Sequence, residues 1–356
     1  MLNTRCAIRL GIIWNMTSMI EWLSVAVVAL LSLALTGLLR KYALARSLID
    51  VPNARSSHSL PTPRGGGVAI VIAFLLAVTL LTGIGHLSAS ALTAIIGSGG
   101  LVALVGFMDD HGHIAARWRL LGHFVAAGWT LFWLGGLAPL SIMGWSFDPG
   151  LLGQVLAAFY LVWMLNLYNF MDGIDGIAGV EAVTVCLGMS IIYALGGHVG
   201  LSWESLLLAA AAAGFLCWNF PPAKIFMGDA GSGFLGIVLG LLSIQGSWAS
   251  PQLFWCWLIL LGVFIVDATL TLIRRLLRRE KVYEAHRSHA YQFASRDYGK
   301  HLPVTLAVVM INLVWLLPVA LWVALMGGDG LTWTAIAYVP LVCLALRFRA
   351  GEAERM

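Results

Sequence analysis

Stretches of about 20 apolar residues recur along the whole chain, and they limit its possible folds more than any other feature. A helix of that length crosses the hydrocarbon core of a bilayer, which is roughly 30 Å thick. The chain is 60% hydrophobic and only 11% charged, whereas a soluble domain has about 25% charged residues. The stretches also lack the polar–apolar alternation of a transmembrane barrel. The sequence therefore predicts an all-α, polytopic integral membrane protein.

Eleven transmembrane helices are predicted from these stretches, and they form one integral domain over residues 19–348. Residues 1–18 would be an N-terminal extension, and residues 349–356 a cytoplasmic tail. The predicted helices have the approximate ranges 20–39, 66–83, 91–107, 119–137, 151–168, 176–196, 203–218, 232–248, 253–273, 303–325 and 331–347.

The distribution of basic residues predicts the orientation of these helices. All but two of the 21 Lys and Arg residues lie in or beside the connections after predicted helices 1, 3, 5, 7 and 9, or near the C-terminus. Basic connections mark the cytoplasmic side, so we expect the N-terminus outside and the C-terminus inside. The exceptions, Arg5 and Arg9, precede Met16 and Met19. A mis-assigned start would explain them, and no small-residue cleavage site indicates a signal peptide.

Three acidic motifs each follow an odd-numbered predicted helix, and therefore lie on the predicted cytoplasmic side. Acidic groups at the edge of a membrane segment are usually functional. Adjacent carboxylates repel each other unless a cation neutralises them, and Mg²⁺ binds one or two carboxylates together with substrate phosphates. The motifs therefore indicate a site for a metal and a phosphate-bearing ligand, with helix capping as the alternative. Their acidic residues are Asp109 and Asp110, Asp172 and Asp175, and Asp229.

The second motif, Asn169–Gly176, superficially resembles a calcium-binding loop. An EF-hand places its acids two residues apart and a Glu at its twelfth position, whereas Asp172 and Asp175 are three apart. Residues at i and i+3 share one helical face, so we expect a single ligand to meet both carboxylates. The alternative is capping combined with glycine flexibility.

The third motif, Phe226–Gly233, is a glycine-rich turn that leads into a predicted helix. Such turns suit anions, because their backbone N–H groups point towards the ligand. The motif lacks the Gly-Lys-Ser/Thr of a P-loop. Phe226 offers an aromatic face for a base, or alternatively anchors the loop in the membrane interface.

Two histidines, His286 and His289, lie in the connection after predicted helix 9. Their spacing suits a metal, but no third soft ligand is nearby, and Arg287 between them favours contact with a phosphate. The preceding basic run, Arg274–Lys281, is predicted to bind lipid headgroups. Within the helix, Asp267 is an intramembrane carboxylate and therefore a functional candidate. Its expected partner is one of the first two arginines of the basic run, Arg274 or Arg275.

Five motifs between residues 50 and 292 together resemble the bacterial polyprenyl-phosphate N-acetylhexosamine-1-phosphate transferases. In order they read DVPNARSSH with PRGGG, GFMDD, NLYNFMDGIDGIAG, NFPPAKIFMGDAGS and HRSH. The HRSHAYQ form resembles the branch that initiates O-antigen or related surface polysaccharides, which belong to lipopolysaccharide biosynthesis. The related phospho-N-acetylmuramoyl-pentapeptide transferases carry three adjacent histidines, which this chain lacks. The departure leaves open which of His286 and His289 takes the family role.

The resemblance implies a reaction at the cytoplasmic face of the bacterial inner membrane. A sugar 1-phosphate would pass from a UDP-N-acetylhexosamine to undecaprenyl or another polyprenyl phosphate, giving polyprenyl-diphospho-sugar and UMP. The implied cofactor is Mg²⁺, with Mn²⁺ as a substitute. The implied partners are the two substrates and the lipid bilayer; a homodimer is one open assembly, and no nucleic acid is expected.

Motif correspondence also implies residue roles. Asp229, Asp109 and Asp110 would hold the metal and, with His286 and His289, form the catalytic group. Asp109 would either position the substrates or act as a base; positioning is favoured because a phosphate monoester, with a second pKa of about 6, is already mostly a dianion. The expected substrate contacts are Asn53, Arg55, His58, Arg64, Asn169, Asp172, Asp175, Asn219, Lys224, Phe226, Asp267 and Arg287, with Asn219 and Phe226 near uracil.

A second class of function is a polytopic transporter or lipid flippase with an incidental cytoplasmic acidic cluster. A transporter needs polar groups near the bilayer midplane, often at broken helices, whereas the acidic motifs are predicted at one membrane interface. Release of UMP from a UDP-sugar would separate the two hypotheses.

Overall fold

The computed structural model describes residues 2–52, 60–112, 114–148, 150–280 and 286–353, with the side chains of residues 2–18 excepted. Helices dominate this part of the chain, and its only strands are four short ones in two hairpins. The predicted helical architecture is therefore confirmed.

The helices of the described chain have the following bounds. They are α1 Leu2–Ala45, α2 Val68–Gly83, α3 Ala89–Gly112, α4 Ala116–Leu134, α5 Gly150–Met171, α6 Ile177–Leu195, α7 Val199–Asn219, α8 Asp229–Ala249, α9 Pro251–Leu260, α10 Gly262–Leu277, α11 Ala290–Tyr298, α12 Leu302–Ile311, α13 Leu317–Met326 and α14 Gly330–Arg347. A π-helical segment, Asn312–Leu316, joins α12 to α13 without a break in the helix.

The two antiparallel hairpins flank the bundle. In the first, β1 (Ile49–Asp50) pairs with β2 (Thr62–Pro63), with Ile49 opposite Pro63. In the second, β3 (Leu140–Ile142) pairs with β4 (Trp145–Phe147). The first hairpin lies beside the segment that leads into α8, because the backbone N–H of Phe226 donates to the carbonyl of Pro63.

Each of the eleven predicted spans coincides with a helix or with a run of consecutive helices. Eight helical segments of the described chain are long and apolar enough to cross a membrane. The number rises to nine if α9 and α10 are counted together as one bent span. The two remaining predicted spans are α2, with 16 residues, and α4. The number of helices that cross the membrane, and their orientation, stay predictions.

The ninth predicted span, 253–273, is not one straight helix as expected. Its two halves, α9 and α10, meet at an angle of 70°. Gly262, at the bend, packs so closely on α14 that an added Cβ would lie 3.0 Å from the side chains of Leu341 and Tyr338. This contact joins the bend to a helix far along the chain, which the local apolar pattern does not indicate.

Helix α8 forms the centre of the bundle, and 94% of its most apolar window is buried. Small residues let its neighbours approach closely. A Cβ at Gly236 would lie 2.6 Å from the backbone of α5, and a Cβ at Gly106 of α3 would lie 2.6 Å from the backbone at Asp229 and Ala230. The C-terminal ends of α3 and α5 therefore meet the N-terminal end of α8, which brings the acidic motifs together at one end of the bundle.

Candidate functional site

A cavity of about 460 Å³ lies where α3 and α5 end and α8 begins. Apolar residues of α3, α4 and α5 form part of its wall, including Val102, Leu120 and Leu165. The polar residues that line it are Asp109, Arg119, His123, Asn166, Asn169, Asp229, His286, His289, Tyr291 and Gln292. Five residues predicted from the sequence are therefore brought together here, namely Asp109, Asn169, Asp229, His286 and His289.

Arg119 connects two of the predicted carboxylates. It lies in the first turn of α4 and forms an ion pair with Asp109 in the last turn of α3. Its guanidinium is also 3.8 Å from the Asp229 carboxylate. Asp109 accepts a further hydrogen bond, of 2.7 Å, from the backbone N–H of Ile114. Arg119 is thus the cation that faces the acidic part of the cavity, a role that the sequence analysis missed.

Asp110 is directed away from the cavity lining and is nearly buried, with 6% of its side chain exposed. Its carboxylate lies 3.9 Å from the Arg64 guanidinium and accepts a hydrogen bond of 3.4 Å from the backbone N–H of Ala230. A carboxylate is favourable at a helix N-terminus, because the unpaired N–H groups carry partial positive charge. Asp110 therefore joins Arg64 to the start of α8, next to Asp229.

Asn169 and Asp172 add polar groups at the end of α5. The Asn169 side chain forms a hydrogen bond with Asp229. Burial raises the pKa of the Asp172 carboxyl well above its usual range, and the nearby carboxylates of Asp229 and Asp110 raise it further. The raised pKa means that the Asp172 carboxyl favours its protonated form, and a cation bound at Asp229 would lessen the repulsion among the neighbouring carboxylates.

The expectation that Asp172 and Asp175 share one helical face is wrong. Helix α5 ends at Met171, so the two residues lie in a turn instead of a helix. Asp175 lies 3.2 Å from His301 and accepts a hydrogen bond of 3.0 Å from the backbone N–H of Ala223. Asp172 faces the carboxylates at the cavity, whereas Asp175 fastens neighbouring loops.

Asn219 also has a different setting from the predicted one. This buried side chain donates to the carbonyl of Ile225, at 2.9 Å, and accepts from the backbone N–H of Gly176, at 3.0 Å. Both ends of its amide group therefore connect two loops, and Asn219 does not line the cavity. Phe226 is likewise outside the cavity lining, so their predicted contact with uracil stays a prediction.

The remaining predicted substrate contacts divide into two groups. Lys224 lies over the Trp218 ring, with its ammonium 5.6 Å from the ring centroid, and neither Lys224 nor Arg287 lines the cavity. The other predicted contacts, Asn53, Arg55 and His58, lie outside the described residues.

His286 and His289 stack with their ring centroids 4.9 Å apart. The Ser288 hydroxyl is 2.9 Å from Nδ1 of His286. Burial lowers the pKa of His286 to about 3, and His289 and Arg275 lower it in the same direction. His286 is therefore neutral at pH 7 and offers a hydrogen bond to a ligand, without a charge.

The expected pairing of Asp267 with Arg274 or Arg275 is wrong. Arg275 lies 2.8 Å from Glu280, and Arg274 lies 3.1 Å from Glu352. Asp267 does not line the cavity. Its carboxylate instead contacts His289, with 3.3 Å between Oδ1 and Nδ1.

Besides Arg119, four polar cavity residues were not singled out as site candidates, namely His123, Asn166, Tyr291 and Gln292. Nδ1 of His123 is buried, without a hydrogen-bond partner in the described part of the protein. Asn166 donates to the carbonyl of Val162 at 2.7 Å, which leaves its own carbonyl oxygen for the cavity. The available sequence signals were the position of His123 one turn after Arg119 and that of Asn166 one turn before the NFMDG motif.

The cavity suits a hard cation through a small number of oxygen ligands. Across the described residues, no three His, Cys, Asp or Glu side chains are arranged to hold a metal. Mg²⁺ does not need such a set, since it usually keeps several waters and binds one or two carboxylates with substrate phosphates. The Asp229 carboxylate, with 36% of the side chain exposed and Asn169 beside it, fits that requirement.

The fold and the cavity define a polytopic helical membrane protein with carboxylates, an arginine and histidines gathered at one end of its bundle. Residues 91–247 match the family described as glycosyl transferase family 4. A Bacillus subtilis protein named as a probable undecaprenyl-phosphate N-acetylglucosaminyl 1-phosphate transferase is 30% identical over 81% of each chain. The chain therefore belongs to glycosyl transferase family 4, and the resemblance drawn from its motifs is confirmed.

Two other relatives support this assignment. The undecaprenyl-phosphate alpha-N-acetylglucosaminyl 1-phosphate transferase of Thermotoga maritima is 26% identical over 81% of this chain and 88% of its own. The phospho-N-acetylmuramoyl-pentapeptide-transferase of Moorella thermoacetica is 34% identical over 52% of this chain and 61% of its own. The family supports enzymatic activity of the glycosyl-1-phosphate transferase kind.

Proposed function

We propose that this protein transfers a sugar 1-phosphate from a UDP-N-acetylhexosamine to undecaprenyl phosphate or another polyprenyl phosphate. The observation that carries the proposal is the convergence of Asp109, Arg119, Asp229 and His289 in one cavity at the end of the bundle. The names of the relatives support the lipid acceptor and the N-acetylglucosamine type of sugar. The products are polyprenyl-diphospho-sugar and UMP.

The proposed reaction is a single displacement at phosphorus. An oxygen of the acceptor phosphate bonds to the β-phosphorus of the nucleotide sugar, and the bond from that phosphorus to the oxygen of the departing UMP breaks. Catalysis of this kind depends on positioning and on neutralisation of charge. A phosphate monoester has a second pKa of about 6, so the acceptor is mostly a dianion at neutral pH and needs no strong base.

Each wall of the cavity has a role in this proposal. Arg119 attracts the phosphates, and Asp109 holds its guanidinium in place. The neutral His286 offers a hydrogen bond to a phosphate oxygen from the opposite wall, where His289 stacks beside it. Asp229 and Asn169 would hold Mg²⁺ or Mn²⁺, with Asp109 and Asp110 nearby, and the bound ion would neutralise charge on the diphosphate. The apolar residues of α3, α4 and α5 suit the first units of a prenyl chain.

The setting of the reaction is also part of the proposal. The cavity faces the cytoplasm of a bacterium from its inner membrane, in a protein with eleven spans, its N-terminus outside and its C-terminus inside. The HRSHAYQ sequence supports a role at the first membrane step of O-antigen or related surface-polysaccharide synthesis.

A two-substrate assay tests the proposed function. Purified protein is incubated with undecaprenyl phosphate, Mg²⁺ and each of several UDP-N-acetylhexosamines, and both UMP and the lipid-linked sugar are measured. We expect equal amounts of the two products with at least one donor, and neither product when the acceptor is left out. Asp229→Asn is expected to be folded and inactive. If folded wild-type protein forms neither product from any donor, the transferase proposal fails and the transporter hypothesis gains support.

A further inference from the structure

The carboxylate of Asp267 receives the start of helix α11. The side chain projects from α10, and only 7% of it is exposed. Oδ1 accepts the backbone N–H of Ala290 at 2.9 Å, and Oδ2 accepts the backbone N–H of Tyr291 at 3.0 Å. His289, which precedes α11 and lines the cavity, contributes a third contact, with Nδ1 3.3 Å from Oδ1.

These contacts determine which nitrogen of His289 carries a proton. An ionised carboxylate can only accept hydrogen bonds, so the Nδ1–H of His289 donates to Asp267. In the neutral ring Nε2 then has the lone pair, and it is the nitrogen that Asp267 leaves free for other partners. A carboxylate behind a functional histidine commonly sets both the tautomer and the ring orientation.

The other side of α11 is fixed to the end of α5. The Tyr291 hydroxyl donates to the carbonyl of Phe170 at 2.9 Å. Gly173 makes this approach possible, because a Cβ at that position would overlap the Tyr291 hydroxyl. The start of α11 is therefore held between α10 and the helix that carries Asn169.

The partners of Asp267 indicate what it supports. One donor, the Thr271 hydroxyl at 3.1 Å, comes from its own helix. The other three come from consecutive residues, 289–291, across a loop of the chain. The carboxylate therefore holds the segment that carries His289 in place, and it makes only one contact within α10.

We propose that Asp267 is a positioning residue that acts through His289 and does not touch the substrate. It fixes the rotation and the protonated nitrogen of the His289 ring at the cavity wall. The kinetic part of this inference rests on the proposed transferase function, whereas the tautomer of His289 can be measured independently of it.

The kinetic test uses Asp267→Asn with a double-mutant cycle. The Asn side chain has no negative charge, and its own N–H group would face the N–H groups that now donate to Asp267. We therefore expect kcat to fall by about 10- to 100-fold, the usual range for such supporting residues. The KM for the UDP-sugar should stay within about twofold. In a His289→Ala background the same substitution should change kcat by no more than about twofold, because the two residues act as one unit.

The matched control is Asp297→Asn, the same substitution in an exposed residue of α11 that pairs with Arg349 at 2.8 Å. It should leave kcat unchanged. If Asp267→Asn lowers kcat equally with and without His289, Asp267 does not act through His289 and the inference fails. It fails as well if Asp267→Asn keeps the wild-type kcat.

A spectroscopic test needs no turnover. Protein labelled with ¹⁵N-histidine, with a His289→Gln sample for assignment, should show His289 protonated at Nδ1 in the wild type and a shift towards Nε2 protonation in Asp267→Asn. An unchanged tautomer overturns the inference, whereas an inactive wild type overturns only the proposed function. If Asp267→Asn does not fold, Asp267→Glu, which keeps the acceptor, should retain the Nδ1 proton and at least about a tenth of kcat. A folded Glu variant that retains this proton but loses kcat shows that Asp267 has another role.

Discussion

Replacing Arg119 with Gln should change metal affinity and turnover in opposite directions. The guanidinium pairs with Asp109 and lies 3.8 Å from the Asp229 carboxylate. In the proposed mechanism the same positive charge attracts the substrate phosphates and competes with a metal ion for Asp229. Arg119→Gln removes the charge, but keeps a side chain that can form hydrogen bonds.

The magnitude follows from the distance and the exposure. Two unit charges 3.8 Å apart interact with about 4 kcal/mol at an effective dielectric constant of 20. The side chains of Arg119 and Asp229 are 37% and 36% exposed, so screening by water reduces the net contribution to about 1 kcal/mol. Loss of this competing cation should therefore lower the Kd for the metal about fivefold. Loss of a charged group that stabilises the transition state should lower kcat by about 100- to 1,000-fold.

Two measurements on purified protein check this prediction. Binding of Mn²⁺, followed by electron paramagnetic resonance without substrate, reports the metal Kd, and UMP release at saturating metal reports kcat. The matched control is Arg117→Gln in the same turn of α4, because the Arg117 guanidinium lies over the Trp118 ring, 5.7 Å from its centroid. Weaker or unchanged metal binding in Arg119→Gln would refute the competition, and an unchanged kcat would refute the role in phosphate transfer.

Three further predictions concern packing, pH and topology. Gly106→Ala should destabilise the protein by about 1–3 kcal/mol, because the added Cβ would lie 2.6 Å from the backbone of α8. The loss would be seen as a lower Tm. Gly100→Ala is the control, since its Cβ would enter open space and should leave the Tm unchanged. The pKa of His286 is lowered to about 3 in the folded protein, against about 6.5 in the unfolded chain. Neutral His286 therefore contributes its full stability above about pH 6.5, and this contribution declines as the pH falls. We expect the Tm of the wild type to fall between pH 7 and 5, and the Tm of His286→Gln to fall less. Equal falls in the two proteins would contradict this prediction. A membrane-impermeant thiol reagent should label Lys300→Cys only in inverted vesicles and Trp145→Cys only in spheroplasts. In each case the labelling is measured above that of the parent protein. The reverse pattern would overturn the predicted orientation.

The sequence predicts features of the fold that depend on local composition. Apolar stretches located every helix that could cross a membrane, and the acidic motifs located most of the carboxylates near the cavity. Both signals are local, because a span needs about 20 apolar residues and a membrane-edge carboxylate stands out against them.

The details that the sequence could not predict all depend on contacts between distant segments. Asp267 meets His289 through a connection of 22 residues, and the neighbouring arginines, although closer in sequence, pair with Glu280 and Glu352. Asp175 was misplaced because the turn after α5 is stabilised by His301, 126 residues later. Local periodicity contains no information about such partners.

The central burial of α8 implies that the two sides of the cavity differ in mobility. Asp229 begins the most enclosed helix of the bundle, whose amide hydrogens should exchange with solvent only through extensive unfolding. His286 precedes α11, a helix of only nine residues, and a short helix opens at a lower free-energy cost than the centre of the bundle. We therefore expect His286 to move when a bulky nucleotide sugar enters or UMP leaves, while the carboxylate side keeps its geometry throughout the catalytic cycle.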